Sequence, residues 1–220
     1  EQILTAVQDT PRLSPDGKYV TYWNRDDAQW ISVDTSTGES VSISRNSRHS
    51  LVNELDDRAF APGSYGSAGW TEGDKEFILY DKYDILAASQ DGTIRNVTEG
   101  LGRSSHVRLR FQRLDREEVA LPTKDDWMLT ALDLDNMDAG FYEVDPRNGD
   151  IEKILMSPHG YRIFQKAEDA DVLLFSRNDF QEFPDLRTSN LDFNDPVRIS
   201  DANPQQSNFT WGTAELYDWT

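Results

Sequence analysis

Short apolar runs separated by glycine-centred turns recur along this chain at intervals that suit a repeating antiparallel sheet and little else. The clearest copy occupies residues 69–102, GWTEGDKEFILYDKYDILAASQDGTIRNVTEGLG. Within it, residues 76–81 (EFILYD) and 84–89 (DILAAS) are apolar runs bounded by charged turns. Residues 93–98 (TIRNVT) alternate apolar and polar side chains, the period of a half-buried strand. Gly92, in Gln90-Asp91-Gly92, can adopt the positive φ that a tight hairpin demands. With Gly69-Trp70-Thr71 as an inner strand, the unit predicts four antiparallel strands, the shape of one propeller blade.

Three more copies follow the same order. The first opens with Ser14-Pro15-Asp16-Gly17, where Pro15 presets φ, Asp16 can bond back to the backbone and Gly17 accepts a positive φ. It continues through residues 19–23 (YVTYW), 29–34 (QWISVD), a turn at Gly38 and 40–44 (SVSIS). The third uses residues 105–114, 127–133, 139–144, a turn ending at Gly149, and 151–155. The fourth uses residues 161–164, 171–177, 185–190 and 197–200. The hairpin positions Gly38, Gly92, Gly149 and Asn194 lie 54, 57 and 45 residues apart, and glycine or asparagine suits such turns.

One four-stranded sheet cannot bury both faces, so blades must pack face to face around an axis. The expected fold is therefore all-β, a β-propeller of about four to five four-stranded antiparallel blades forming part of a larger ring. Blades are placed at residues 10–44, 68–99, 105–155 and 160–200, with a further blade starting in 207–220. Residues 45–67 have no clear period and are expected to be an inter-blade insertion; loops of this length are usually functional or mobile. Open blade edges invite pairing, so a homo-oligomer is an expected association.

Composition narrows the partners. The 40 acidic residues outweigh 22 Lys and Arg, and a net charge of −18 without a basic cluster argues against nucleic acid. The charge reads first as a solvated, soluble surface and second as an electrostatic preference for basic ligands. No stretch reaches the ~20 apolar residues of a membrane span, and no basic region followed by an apolar core marks a signal peptide. The absence of cysteine removes disulfides and thiolate metal sites.

Four phrases carry a family likeness: GWTEGDKEFILYDKYDI, GTIRNVTEGLGR, FSRNDFQEFPDLRTSNLDF and ISDANPQQSNFTWGTAELYDW. Over most of residues 10–220 the chain resembles the propeller of bacterial serine peptidases of the prolyl oligopeptidase family, those similar to dipeptidyl aminopeptidases and acylaminoacyl peptidases. The resemblance implies a periplasmic or secreted parent, a peptide substrate, and an α/β-hydrolase domain of the same parent chain beyond Thr220. Leu86 departs from the pattern, standing where the relatives carry an aromatic, and complete relatives have more blades.

The catalytic signature of such a hydrolase, G-x-S-x-G, needs glycines on both sides of a serine held in a strained turn. Gly66-Ser67-Ala68-Gly69 is the nearest match, and its serine lacks the first glycine. His49, His106 and His159 read as surface or loop residues, since a triad needs a positioned serine and acid. The acidic run 133–140 (DLDNMDAG) fails the calcium-loop pattern, with Met137 fifth, Asp138 sixth and Val144 twelfth, and reads as a solvated hairpin. No catalytic residue, metal site or cofactor is expected. Glu117 and Glu118 are the candidate substrate-binding residues, by comparison with the glutamate pair that holds a substrate's free amine in dipeptidyl peptidases of the family. Their flanks, Leu114-Asp115-Arg116 and Val119 to Pro122, do not match that motif's context, and an exposed turn competes as the reading. Trp70 and Trp211 read first as packing and second as ligand-stacking residues, and Asn96 and Asn208 head glycosylation sequons. The cluster from Tyr80 to Asp84 reads as turn chemistry.

The expected function is a non-catalytic propeller that caps a peptidase active site, restricts access to peptides and is inactive alone. A stand-alone periplasmic binding or scaffold propeller is the alternative, and a propeller-fold carbohydrate enzyme is a third.

Overall fold

The computed structural model describes residues 9–215, 217 and 219. Sixteen strands among the described residues, taken four at a time in chain order, make four antiparallel meanders. Blade 1 comprises β1 (Arg12–Leu13), β2 (Tyr19–Asn24), β3 (Gln29–Asp34) and β4 (Ser40–Ser42). Blade 2 comprises β5 (Ser67–Trp70), β6 (Phe77–Tyr80), β7 (Ile85–Ala88) and β8 (Ile94–Asn96). Blade 3 comprises β9 (Val107–Phe111), β10 (Trp127–Asp133), β11 (Ala139–Val144) and β12 (Ile151–Ser157). Blade 4 comprises β13 (Gly160–Lys166), β14 (Leu173–Asn178), β15 (Asp185–Ser189) and β16 (Val197–Arg198). This is a β-propeller architecture, each sheet a four-stranded meander stacked on the next.

The core lies between blades, and this explains the apolar runs. In β6, Phe77 and Leu79 pack on blade 1 beside Trp23, Trp30 and Ile43, while Ile78 and Tyr80 pack on blade 3 beside Leu109 and Leu129. A strand covered on both faces reads as continuous hydrophobicity rather than alternation. Trp70 is buried in the first interface, 5.2 Å from Tyr19 and 5.4 Å from Phe77, so it is a packing residue. Leu86 is buried there too, among rings that already fill the space. The interface between blades 3 and 4 is smaller, centred on Met128, Phe141 and Leu173.

The outward face of blade 4 is uncovered. Cross-strand pairs at equivalent register positions are Trp30 with Ile43, Ile85 with Val97, and Leu186 with Ile199. The first two pairs are buried beneath the following blade, whereas Leu186 and Ile199 are 38% and 55% exposed.

A polar corner recurs beside these pairs. Thr98 Oγ1 donates to Asp84 Oδ1 at 2.7 Å and accepts the Ile85 N–H at 3.2 Å. Ser200 Oγ donates to Asp185 Oδ1 at 2.6 Å and accepts the Leu186 N–H at 2.9 Å. In blade 1, Ser44 and Gln29 repeat the arrangement at 2.6 Å, with the Trp30 N–H at 2.8 Å. Blade 3 has Ala139 opposite Ser157 instead, and the Ser157 hydroxyl bonds His159 and Tyr161.

The turns joining first and second strands link neighbouring blades. Asp74, 4% exposed and at φ 57°, ends the 3-10 turn Glu72–Asp74 of blade 2. Its carboxylate accepts from Ser14 Oγ at 2.6 Å and from the N–H groups of Asp16 and Lys18 at 3.1 and 3.3 Å, all in blade 1.

Two local expectations change. The positive φ at the fourth hairpin falls on Phe193 (53°), not Asn194, because the Phe193 ring is held 4.7 Å from Phe141 in a parallel stack and edge-on to Phe175. The third copy's inner strand starts at Val107 because the single turn α1 (Leu101–Ser104) leads into His106 at φ 55°. Residues 45–67, expected as an inter-blade insertion, are tied down locally, with Val52 bridged to Ser64, Tyr65 N–H bonded to Leu51 O, and Trp23 Nε1 donating to Pro62 O. In the stretch 207–220, where a further blade is expected to start, the described residues hold the end of the 3-10 turn Pro204–Asn208 and no strand; Leu216, Asp218 and Thr220 lie outside the described residues.

Candidate functional site

Glu117 and Glu118 lie on the loop joining β9 to β10, which is anchored at both ends. Gln112 N–H bonds Met128 O at 2.8 Å, and Trp127 Nε1 donates to Pro122 O at 2.7 Å. The fully buried Leu121 exchanges backbone bonds with blade 2, its N–H reaching Trp70 O at 2.9 Å. Between these anchors, Asp115 Oδ1 accepts the Glu117 N–H at 2.8 Å, and Arg113 binds the Glu118 carbonyl. The turn so formed presents both glutamates to a cleft of about 780 Å³ between this loop and the end of β13.

The cleft is strongly acidic. Asp115, Glu117, Glu118, Asp125, Asp126, Glu168 and Asp171 line it, against Arg116 and Lys166. Both cations are engaged: Arg116 donates to Phe164 O at 3.0 Å, and Lys166 sits 3.5 Å from Asp171. Burial, followed by the neighbouring Asp115 charge, raises the Glu118 pKa above the ordinary carboxylate value. A cation entering here would relieve like-charge repulsion and donate charge-assisted hydrogen bonds to the carboxylates. The two glutamates suggested by sequence thus share one concave site.

The histidines are placed differently. His49 is exposed, and His106 stacks on Tyr83 with Nδ1 3.1 Å from Asp135. His159 Nδ1 lies 2.9 Å from Ser157 Oγ, with Nε2 3.7 Å from Asp179. That serine is also bonded to Tyr161 at 2.7 Å, and the acidic side includes Glu182, which is held by Arg177 and Arg187 at 2.7 and 2.6 Å. The set fastens the β12–β13 turn to residues 179–182. Asp133 and Asn136 spend their side-chain oxygens on backbone N–H groups of Asp135, Asn136 and Asp138, as a capped hairpin does. Asp81 likewise takes the N–H groups of Tyr83 and Asp84 at 2.8 and 2.7 Å, together with Arg103 at 2.7 Å, so the cluster from Tyr80 to Asp84 is turn chemistry. Asn96 Oδ1 accepts from Thr98 within the polar corner, and Trp211 is 46% exposed against Phe180.

A second cleft, of about 520 Å³, was not anticipated. Its walls include Asn53, Leu55 and Tyr65 of the 45–67 insertion, and Arg108 and Arg110 of β9. The sequence signal was the run Val-Arg-Leu-Arg-Phe, two cations on one strand face in an acidic chain. Its proximity to Tyr65 was invisible without the fold.

No family model matches the sequence, and no curated protein matches it. Solved structures give fold-level similarity. TolB from Acinetobacter baumannii aligns at 12% identity and a TM-score of 0.46, covering 90% of this chain and 45% of that one. An oligogalacturonate lyase from Vibrio parahaemolyticus aligns at 10% identity and a TM-score of 0.38, covering 92% and 68%. A putative TolB from Agrobacterium tumefaciens aligns at 13% identity and a TM-score of 0.31, covering 86% and 79%. The chain thus spans less than half the length of the first of these. The class defined here, a β-propeller module, rests on strand order and inter-blade packing. No helix among the described residues is long and apolar enough to cross a membrane.

Proposed function

We propose that this chain is the non-catalytic propeller portion of a periplasmic or secreted serine peptidase of the prolyl oligopeptidase type. It would cap an α/β-hydrolase domain of the same parent chain and restrict access to peptides. The observation that carries this reading is the acidic cleft that collects Glu117 and Glu118 with five further carboxylates. A peptide's terminal ammonium or a basic side chain is the natural occupant, because a cation gains most where several carboxylates converge. Bond cleavage would belong to the hydrolase domain, where a serine attacks the carbonyl with histidine as base.

The test is calorimetric titration with a peptide bearing a free amino terminus and with its acetylated counterpart. The free amine should bind, and acetylation or the double change Glu117→Gln with Glu118→Gln should weaken binding about tenfold or more, the loss of a charge-assisted bond. Equal binding of both peptides would sink the assignment of this cleft. Robust serine-dependent hydrolysis by the chain alone would sink the non-catalytic role.

A stand-alone binding or scaffold propeller is the second reading, favoured by the fact that both clefts are built from this chain's own residues. The uncovered Leu186 and Ile199 face then serves association with another copy instead of a neighbouring blade of the parent.

A further inference from the structure

The cleft beside the 45–67 insertion differs from the acidic one in its lining, which among the described residues holds two arginines and no carboxylate. Arg110 is half-buried with its guanidinium 4.6 Å over the Tyr80 ring, donating to the carbonyls of Leu109 at 2.7 Å and Asp81 at 2.8 Å. Arg108, two residues earlier on the same strand, is exposed and lines the same space. Among the described residues neither has a carboxylate within 4.0 Å, although the chain carries 40 acids. By contrast, Arg95 and Arg187, half-buried elsewhere, are paired with Glu76 and Glu182.

The nearby acids are already committed. Asp81 holds Arg103 at 2.7 Å, and Glu54 faces Lys82 at 3.7 Å. Burial, joined by the charge of Arg108 and opposed by Tyr80 and Asp81, lowers the Arg110 pKa to about 10. Arg110 therefore stays cationic at neutral pH, in a place where an added negative charge would be stabilising. Leu55, Tyr65, Leu132 and Tyr161 supply apolar walls, and the volume falls within the range of small-ligand sites.

The geometry points to a carboxylate-binding site: Arg108 and Arg110 together receive the carboxylate of a small organic acid or of a peptide's C-terminus, whose hydrocarbon part lies against Leu55 and Tyr65. Two planar guanidinium groups suit a planar two-oxygen acceptor, and Arg108 has its fork free to supply the bidentate contact. The site does not depend on the peptidase reading, because it uses neither Glu117 nor Glu118.

Calorimetric titration of the whole chain with three probes tests it: succinate, N-acetyl-trialanine with a free carboxylate, and N-acetyl-trialanine amide. Acetylation removes the ammonium that the acidic cleft would attract. At least one carboxylate probe should bind saturably, the amide should bind at least about tenfold more weakly, and Arg108→Gln should weaken binding about tenfold. Binding of succinate alone would identify a free organic acid as the ligand, and binding of the peptide acid a C-terminus. Arg108 is exposed, so its replacement leaves the fold intact; circular dichroism verifies this, and Arg110→Gln is the companion variant. Failure of both carboxylate probes to bind, equal binding of acid and amide, or unchanged binding by Arg108→Gln would overturn the assignment.

Discussion

Blades 2 and 4 close with the same polar corner and differ in what lies beside it. Asp84 holds the Thr98 hydroxyl and the Gly102 N–H at 2.7 and 3.0 Å; Asp185 holds the Ser200 hydroxyl and the Ala202 N–H at 2.6 and 2.8 Å. The adjacent pair is buried in blade 2, as Ile85 and Val97, and open in blade 4, as Leu186 and Ile199. The corner is therefore a property of one blade, assembled from its own third and fourth strands. The apolar pair becomes core only when a following blade covers it.

The sharpest way to break this comparison is to truncate both apolar positions. Ile85→Ala removes side-chain volume from a filled interface and should cost about 2–5 kcal/mol in denaturant unfolding. Leu186→Ala, on the open face, should cost less than about 1 kcal/mol. Equal losses would mean that the open face is covered in solution.

Next in size is the corner itself. Asp84→Ala leaves the Gly102 N–H without its acceptor and the Thr98 hydroxyl with Asn96 Oδ1 alone, and a loss of about 1–3 kcal/mol is expected. In blade 4, hydrogen bonds from Ala202 and Ser200, aided by the Arg198 charge, hold the Asp185 pKa below its ordinary value of 3.8. A carboxyl whose folded pKa is depressed stabilises the fold above the unfolded pKa, and that contribution is lost as pH falls through the folded value. Acid unfolding should therefore lose part of its steepness below about pH 4 in Asp185→Asn, and an unchanged acid limb would remove Asp185 from this role.

The smallest effect on stability belongs to a paired change on the open face, Leu186→Ser with Ile199→Ser, expected within about 0.5 kcal/mol of the parent. Its readout is association. If the face pairs with another copy, light scattering coupled to size exclusion will show a dimer that the double variant loses. A monomer in both cases would leave a blade of the parent ring as the occupant.

Most strands were legible because turn chemistry brackets them. Gln29–Asp34, Trp127–Asp133 and Ala139–Val144 have the limits expected from Gly38, Gly149 and the apolar runs between charged turns. Phe193 shows the limit of such reasoning. A stack on Phe141 outweighs the preference of asparagine for the left-handed region, and tertiary contact decided the turn. The polar corners were hidden for another reason. Their partners sit 14 or 15 residues apart, as Asp84 with Thr98 and Asp185 with Ser200, and only strand register turns that interval into a contact. The glutamate pair of the candidate site was visible as a pair, but the cleft was not, since Glu168 and Asp171 reach it from the next blade. The Arg108 and Arg110 cleft depended on an insertion with no period at all.

The carboxylate of Asp74 also bears on the order in which the molecule is made. During synthesis the turn at Ser14 to Lys18 emerges well before residue 74, so its hydroxyl and two N–H groups must wait on water for an acceptor that the chain has not yet delivered. The hydrogen bonding of this turn is thus completed only once the inner hairpin of the second blade has left the ribosome, on a side chain borrowed from the next repeat.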